Sequence, residues 1–237
     1  MMSGDDHRDQ AMPGMIGVAG APAFDRSAAV TRSLLGWGVV VGPFYLIIGF
    51  LQGLLRPGFS FARHPLSVLV NGDYGWVQSA NFALSGLMVI AAAFGMGRIL
   101  GPGMRATPWT LGAYGACIAL SAMLPADPVD GFPLGTPIGP PASITTVGFM
   151  HFAVGALGFV CFGASALLAA RALARRGDRA MSRWSLAAGI ALLVSFFGGF
   201  ALPSPVVGIW IAVLVGWTWL TVLSLYLYRI SPSPNCQ

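Results

Sequence analysis

Six long apolar runs, separated by short polar or proline-rich breaks, are the feature that most constrains this chain. Their bounds are residues 34–55, 79–97, 109–124, 145–170, 185–202 and 206–228. About 20 consecutive apolar residues cross a bilayer as a helix, since a helix satisfies its own backbone hydrogen bonds in lipid. With 56% hydrophobic and only 9% charged residues, the chain also lacks the charge that a soluble domain needs. The sequence therefore predicts an all-α polytopic membrane helix bundle with about six transmembrane helices.

The placement of arginine predicts how the chain is oriented. All 13 basic residues are Arg. With the N-terminus in the cytoplasm, eleven of them fall in segments on the inner side, and only Arg56 and Arg63 fall outside. The excess of basic residues in cytoplasmic segments therefore predicts an N-in/C-in protein of the cell membrane. Because these Arg residues mark the ends of apolar runs, the net charge of +5 does not indicate a nucleic-acid partner.

The same reading divides the chain into three parts. Residues 1–32 carry several Asp residues before the first apolar run, and they are predicted to be a disordered cytoplasmic tail. Residues 33–229 form the predicted membrane domain, and residues 230–237 form a cytoplasmic C-terminal tail. Pro43 is predicted to kink the first helix, because proline removes a backbone hydrogen bond.

Two loops on the predicted outer side are long. In the first, the apolar stretch 66–70 is followed by Tyr74 and Trp76, a pattern typical of a segment lying at the membrane interface. The second, residues 125–143, is so rich in Pro and Gly that it predicts irregular backbone.

Small and polar residues share a face on four of the predicted helices, at 100° per residue. These faces are Tyr45, Gln52 and Arg56; Gln78, Asn81 and Ser85; Tyr114, Cys117 and Ser121; and Gly148, His151, Gly155 and Gly158. Small residues mark helix contacts in membranes, so these faces are expected to point into the bundle. They predict an interior polar pocket that opens to the extracytoplasmic side. The face of Trp210, Trp217, Thr221 and Ser224 is interpreted as a packing surface.

The candidate catalytic residues are His151, Asp127 and Asp130. An ionisable group inside a span indicates function by default, which singles out His151. Two neighbouring carboxylates raise the pKa of one of them, so Asp127 and Asp130 could provide a proton donor beside an ionised partner. The alternative for Asp127 is a turn cap, since Asp before Pro is ordinary turn chemistry.

The candidate substrate-binding residues are polar groups at the outer ends of the first two spans and in the first loop. They are Gln52, Arg56, Arg63, His64, Gln78 and Asn81. Each also has a structural interpretation. Gln78 and Asn81 could form hydrogen bonds between helices, Arg56 and Arg63 could anchor to lipid headgroups, and His64 could be an interfacial loop residue.

Two separated motifs carry a resemblance to a known family. The first is residues 63–86, RHPLSVLVNGDYGWVQSANFALSG. The second is residues 124–137, LPADPVDGFPLGTP, followed by the helix-borne His151. Over about residues 34–228 the chain resembles the bacterial membrane proteins grouped as domain of unknown function 998. The resemblance implies a bundle of six to seven helices in an inner membrane of the bacterial type, and it implies no established chemistry.

Three functions remain open on the sequence. The first is an enzyme that acts by acid–base chemistry on a lipid-soluble, isoprenoid- or lipid-like molecule. The second is a transporter or exporter of a small hydrophobic molecule, and the third is a non-catalytic assembly or binding subunit. The spacing of His and Asp fits no zinc pattern and no phosphate or dinucleotide motif occurs, so no metal and no cofactor is predicted. The expected partners are the lipid bilayer and a lipophilic small molecule, and self-association stays open.

Overall fold

The computed structural model describes residues 24–141 and 143–234, which form six α-helices in chain order. These are α1 Arg26–Leu55, α2 Gly75–Leu100, α3 Ala106–Ser121, α4 Thr146–Arg175, α5 Arg179–Gly199 and α6 Pro205–Ile230. Short 3-10 helices occupy Leu66–Val70 and Pro102–Met104. Within these two stretches the only β-type pairing is an isolated bridge between Val129 and Phe132, so the all-α prediction is confirmed.

Five of the six helices, all but α3, are long and apolar enough to cross a membrane. The exception, α3, has 16 residues. That makes it about 24 Å long at 1.5 Å per residue, against a hydrocarbon core of about 30 Å. A multi-pass helical membrane protein is therefore confirmed, while the count of six spans and the N-in orientation stay predictions.

The helices form a closed ring in which each packs against its neighbours in the chain and α6 packs against α1. Neighbouring helices are antiparallel. For example, Arg98 near the end of α2 donates hydrogen bonds to Ser27 and Thr31 near the start of α1. The ring thus has two distinct ends. The loop end carries residues 56–74, 122–141 and 143–145, and the terminal end carries both described chain ends, joined by the hydrogen bond from Asp25 N to Pro234 O.

Close helix contacts depend on small residues, as is typical of packing in membranes. At the α1–α6 contact, Gly38 and Gly42 lie directly against Ser224 and Thr221, and a Cβ at either glycine would overlap the facing hydroxyl group. Thr221 and Ser224 are therefore packing residues, as their helix face predicts.

The first helix begins earlier than the apolar run suggests. Asp25 is its N-cap, and the carboxylate accepts hydrogen bonds from the backbone N–H groups of Ser27 and Ala28 at 2.8 and 3.1 Å. Helix α1 therefore starts inside the segment predicted as a tail, and it continues as one helix through Pro43. The predicted disorder of residues 1–23 and the last three residues of the C-terminal tail lie outside the described part of the chain.

The apolar stretch 66–70 packs its side chains into the bundle, and its place at the membrane interface stays a prediction. It forms a 3-10 helix whose Leu66, Val68 and Leu69 are all buried. Leu66 fits into the space left by Gly49 of α1, where a Cβ would overlap its side chain. The segment thus folds into the loop end of the ring, because apolar burial inside the bundle is available there.

Candidate functional site

An interior cavity of about 320 Å³ opens in the loop-end half of the ring. Side chains from all six helices, the 3-10 segment and the second loop line it. Eight lining residues are aromatic: Tyr45, Phe82, Tyr114, Phe152, Phe159, Phe196, Trp210 and Trp217. The volume lies at the lower end of the range for small-molecule sites, about 300–1,000 Å³.

Packed aromatic rings close the cavity toward the terminal end. Tyr114 stacks on Phe162 with ring centroids 3.9 Å apart, and Trp217 lies 4.8 Å from Tyr45 and 5.8 Å from Tyr114. Phe162 and Trp217 are almost completely buried. The interpretation of the α6 face as packing alone is therefore incomplete, since Trp210 and Trp217 also line the cavity.

The cavity reaches the surface of the protein beside apolar side chains. Two of its lining residues, Ile144 and Phe152, are themselves 69% and 50% exposed. Gly155 of α4 also lines it, and a Cβ added there would meet no atom within 4 Å. The wall at Gly155 thus borders open space.

His151 is buried on α4 and lines the cavity. Its Nδ1 lies 2.5 Å from the backbone oxygen of Leu124. A carbonyl oxygen can only accept, so we assign the proton to Nδ1, which donates this hydrogen bond. The Nε2 of the neutral ring is then an acceptor. His151 therefore brings a fixed hydrogen-bond acceptor to an otherwise largely apolar space.

Asp127 lines the same cavity and holds Thr145, the N-cap residue of α4. Its carboxylate accepts hydrogen bonds from the Thr145 hydroxyl at 2.6 Å and from the Thr145 N–H at 3.0 Å. The Thr145 hydroxyl in turn accepts a hydrogen bond from the Gly148 N–H at 2.9 Å. Asp127 lies so close to Gly148 that a Cβ there would overlap the carboxylate. Asp127 therefore joins the second loop to the start of α4, with partners 18 residues along the chain and not in its own turn.

Asp130 is not brought to the cavity. Its carboxylate accepts a hydrogen bond from the Gly139 N–H at 2.9 Å and lies 3.7 Å from Arg63 Nη1. Its backbone φ of 48° places it in the left-handed region. Asp127 and Asp130 therefore have separate partners, and the predicted acid–base pair of carboxylates does not form, because the tight turn at Asp130 directs its carboxylate toward its own loop.

His64 joins the two loops. Its Nδ1 accepts a hydrogen bond from the Ser60 N–H at 2.9 Å, so its Nε2 carries the proton and donates to the Asp130 backbone oxygen at 3.1 Å. The ring is completely buried between Phe59 and Phe132. Both nitrogens are thus used inside the fold, and His64 does not line the cavity.

Arg56 holds the first loop in place. It donates hydrogen bonds to the backbone oxygens of Leu69, at 2.5 Å, and Asn71, and its guanidinium lies over the Phe132 ring at 5.0 Å. Burial lowers the pKa of Arg56, and the nearby Asp73 carboxylate opposes that shift. We call residues 56–74, 122–141 and 143–145, joined through these contacts, the two-loop cap.

The three predicted amide residues form a separate cluster between α1 and α2. Gln52 donates a hydrogen bond to Gln78 at 2.8 Å, and Asn81 donates to the Tyr45 backbone oxygen at 3.2 Å. Gln52, Gln78 and Asn81 are buried, and none of them lines the cavity. Their arrangement matches the alternative of hydrogen bonds between helices.

Of the nine predicted site residues, the structure brings only His151 and Asp127 to the cavity. Arg56, Arg63, His64 and Asp130 belong to the two-loop cap. Sequence reasoning left the aromatic lining out of the site, although the shared face of Tyr114, Cys117 and Ser121 carried a signal. Within residues 24–141 and 143–234, no group of three or more His, Cys, Asp or Glu side chains could hold a metal ion.

Fold and site together define a multi-pass α-helical membrane protein with an interior aromatic cavity. Residues 39–226 match the family described as "Protein of unknown function (DUF998)", and the chain belongs to that family. The resemblance carried by the two sequence motifs is thereby confirmed. No curated protein and no solved structure matches the chain. The family's description assigns no activity, so the function has to be argued from the cavity.

Proposed function

We propose that this protein binds a lipophilic small molecule in the interior cavity. The observation that carries the proposal is the cavity itself: about 320 Å³, lined by eight aromatic side chains, with His151 and Asp127 among its polar lining residues. Apolar burial stabilises a bound ligand by roughly 25 cal/mol per Å². A ligand that buries about 200 Å² of apolar surface would gain on the order of 5 kcal/mol before the cost of association.

The ligand would reach the cavity from the bilayer. Ile144 and Phe152 flank the place where the cavity meets the surface, and both are apolar and exposed. A lipid-soluble molecule could pass beside them without exposing its apolar surface to water. The aromatic floor at Tyr114, Phe162 and Trp217 offers no polar path to the terminal end, which argues against export through the ring.

We further propose that the chain spans the membrane six times, N-in/C-in, with α3 as the short third span. The support is that Arg56 and Arg63 are the only Arg residues placed at the loop end within the described ranges. The cavity would then open on the extracytoplasmic side of an inner membrane of the bacterial type. Alkaline phosphatase inserted in the loop 125–143 should be active. If only insertions at Gly177 are active, the chain has the opposite orientation and this proposal is wrong.

Acid–base catalysis on the bound molecule is the second candidate, and one observation favours it. His151 Nε2 is an acceptor in a largely apolar cavity, and Nδ1–H is fixed by the Leu124 carbonyl. Such an imidazole can take a proton from a ligand, and the Leu124 carbonyl would then stabilise the imidazolium through the existing hydrogen bond. Asp130 has no part in this version.

A cavity-filling substitution tests the binding proposal. In Gly155→Leu the new side chain would occupy the cavity, since nothing lies within 4 Å of a Cβ there. Gly198→Leu is the matched control: it is also a helical glycine with open space around it, but it lies on α5 outside the cavity. We expect binding of tritiated phenylhexanol to protein in nanodiscs, corrected with empty nanodiscs, to weaken at least tenfold in Gly155→Leu alone.

Equal binding by wild type and both variants, all with wild-type melting temperatures, would refute the binding proposal.

The proposal of acid–base catalysis has its own test. Lipid extracts from cells that express wild type, His151→Gln or Asp130→Asn are compared by mass spectrometry. A lipophilic product formed by wild type and Asp130→Asn but lost in His151→Gln would support catalysis, and three identical extracts would contradict it.

A further inference from the structure

We infer that the cavity selects lipophilic cations, that is, molecules whose apolar body carries an amine or quaternary ammonium group. This inference rests on the proposed function, because it names the chemical class of the ligand for the same cavity. It follows from the charge of the lining, the diversion of the nearby Arg side chains, and the aromatic faces.

The lining is asymmetric in charge. Asp127 contributes a carboxylate, and no Arg is found among the lining residues of the described chain. At the edge of a largely apolar cavity, an unbalanced negative charge attracts a cation and repels an anion. A phosphate or carboxylate ligand would have no cationic partner there.

The two Arg residues of the two-loop cap are occupied elsewhere. Arg56 donates to the backbone oxygens of Leu69 and Asn71. Arg63 pairs with Asp130 and donates to its backbone oxygen at 3.2 Å. Both guanidinium groups therefore stabilise the two-loop cap and leave the charge of Asp127 uncompensated toward the cavity.

The carboxylate keeps capacity for a ligand. A carboxylate offers about four acceptor positions, and the two hydrogen bonds from Thr145 use two of them. Its position is fixed by those bonds and by the close contact with Gly148. A cationic head at the edge of the cavity can thus meet a preorganised acceptor.

The aromatic lining provides the second attraction. Ring faces of Trp, Tyr and Phe attract a cation within about 6 Å of the centroid, and recognition of quaternary ammonium groups by aromatic cages uses this interaction. Tyr45 and Tyr114 both pack against Trp217 and line the cavity with it. The same rings accept the apolar body of the molecule.

Three matched probes test the inference: phenylhexyl-trimethylammonium, its uncharged isostere with carbon in place of nitrogen, and phenylheptanoate. We expect wild-type protein in nanodiscs of zwitterionic lipid to bind the ammonium probe at least tenfold more tightly than the isostere, and the carboxylate probe most weakly. Asp127→Asn should weaken ammonium binding about tenfold, which corresponds to about 1.4 kcal/mol, and should leave the isostere within threefold.

Thr145→Ala is the matched control, because it removes one hydrogen bond to Asp127 and the cap of α4 but keeps the charge. It should lower the melting temperature as Asp127→Asn does and still prefer the ammonium probe. Equal binding of ammonium probe and isostere, or loss of the preference in Thr145→Ala as well, would overturn the inference while leaving the cavity as a binding site. If Gly155→Leu binds all three probes as tightly as wild type does, the proposed function is overturned too.

Discussion

His64 should be essential to the stability of the two-loop cap and not to ligand chemistry. In His64→Ala the Ser60 N–H and the Asp130 carbonyl lose their hydrogen-bond partner, at distances of 2.9 and 3.1 Å. Each lost bond costs about 1 kcal/mol, and the void between Phe59 and Phe132 adds a comparable packing term. We expect a loss of about 3 kcal/mol in the free energy of unfolding of the cap.

Two conservative variants separate the contributions of the two hydrogen bonds of His64. An Asn side chain can place its oxygen near the position of Nδ1 and accept from Ser60, and a Gln side chain can place its amide N–H near Nε2 and donate to Asp130. His64→Asn and His64→Gln should therefore each recover about 1 kcal/mol relative to His64→Ala.

Thermal unfolding in detergent ranks wild type and the three variants by stability. Hydrogen exchange of residues 56–74 and 122–145 locates the effect. We expect wild type to be most stable, His64→Asn and His64→Gln to be intermediate, and faster exchange to be confined to the cap. A melting temperature and cap exchange in His64→Ala equal to those of wild type would refute this account of His64.

The remaining predictions concern glycines at close contacts. Gly86→Ala would press a Cβ onto the backbone of α3 and should cost about 2 kcal/mol in the free energy of unfolding. For Gly112→Ala on the facing helix, the atom nearest to the new Cβ is 3.9 Å away. That variant should have a melting temperature equal to or above that of wild type. Equal melting temperatures for the two would contradict this packing. Gly148→Ala should displace Asp127, lower the melting temperature and remove the preference for ammonium probes, while Gly155→Ala should do neither.

Much of the fold could be predicted from hydrophobic length alone. Apolar runs of about 20 residues locate α1, α2, α4, α5 and α6, because lipid leaves the backbone no other way to satisfy its hydrogen bonds. The start of α1 was missed because hydropathy is insensitive to capping, although Asp25 is a recognisable N-cap. The burial of Leu66–Val70 depends on the space left by Gly49 of α1, which no local pattern in the loop encodes.

The site was less predictable because the type of a polar side chain does not say where its hydrogen bonds go. His64 and His151 are alike as sequence candidates, yet two backbone partners use both nitrogens of His64, whereas within residues 24–141 and 143–234 His151 has one hydrogen-bond partner. Asp127 and Asp130 are close in sequence, but the turn between them gives them different partners. The aromatic lining went unassigned since rings on helix faces are also what packing requires.

Photolabelling tests the central claim, the interior binding cavity, most directly. A diazirine derivative of phenylhexanol is cross-linked to the protein in nanodiscs, and the labelled residues are mapped by mass spectrometry. The account predicts labels on 148–159 of α4, 209–217 of α6 and 65–68 of the cap, all displaced by excess unlabelled phenylhexanol and lost in Gly155→Leu. Labels confined to exposed membrane-facing positions such as Phe94 and Val194, unaffected by competitor, would contradict it.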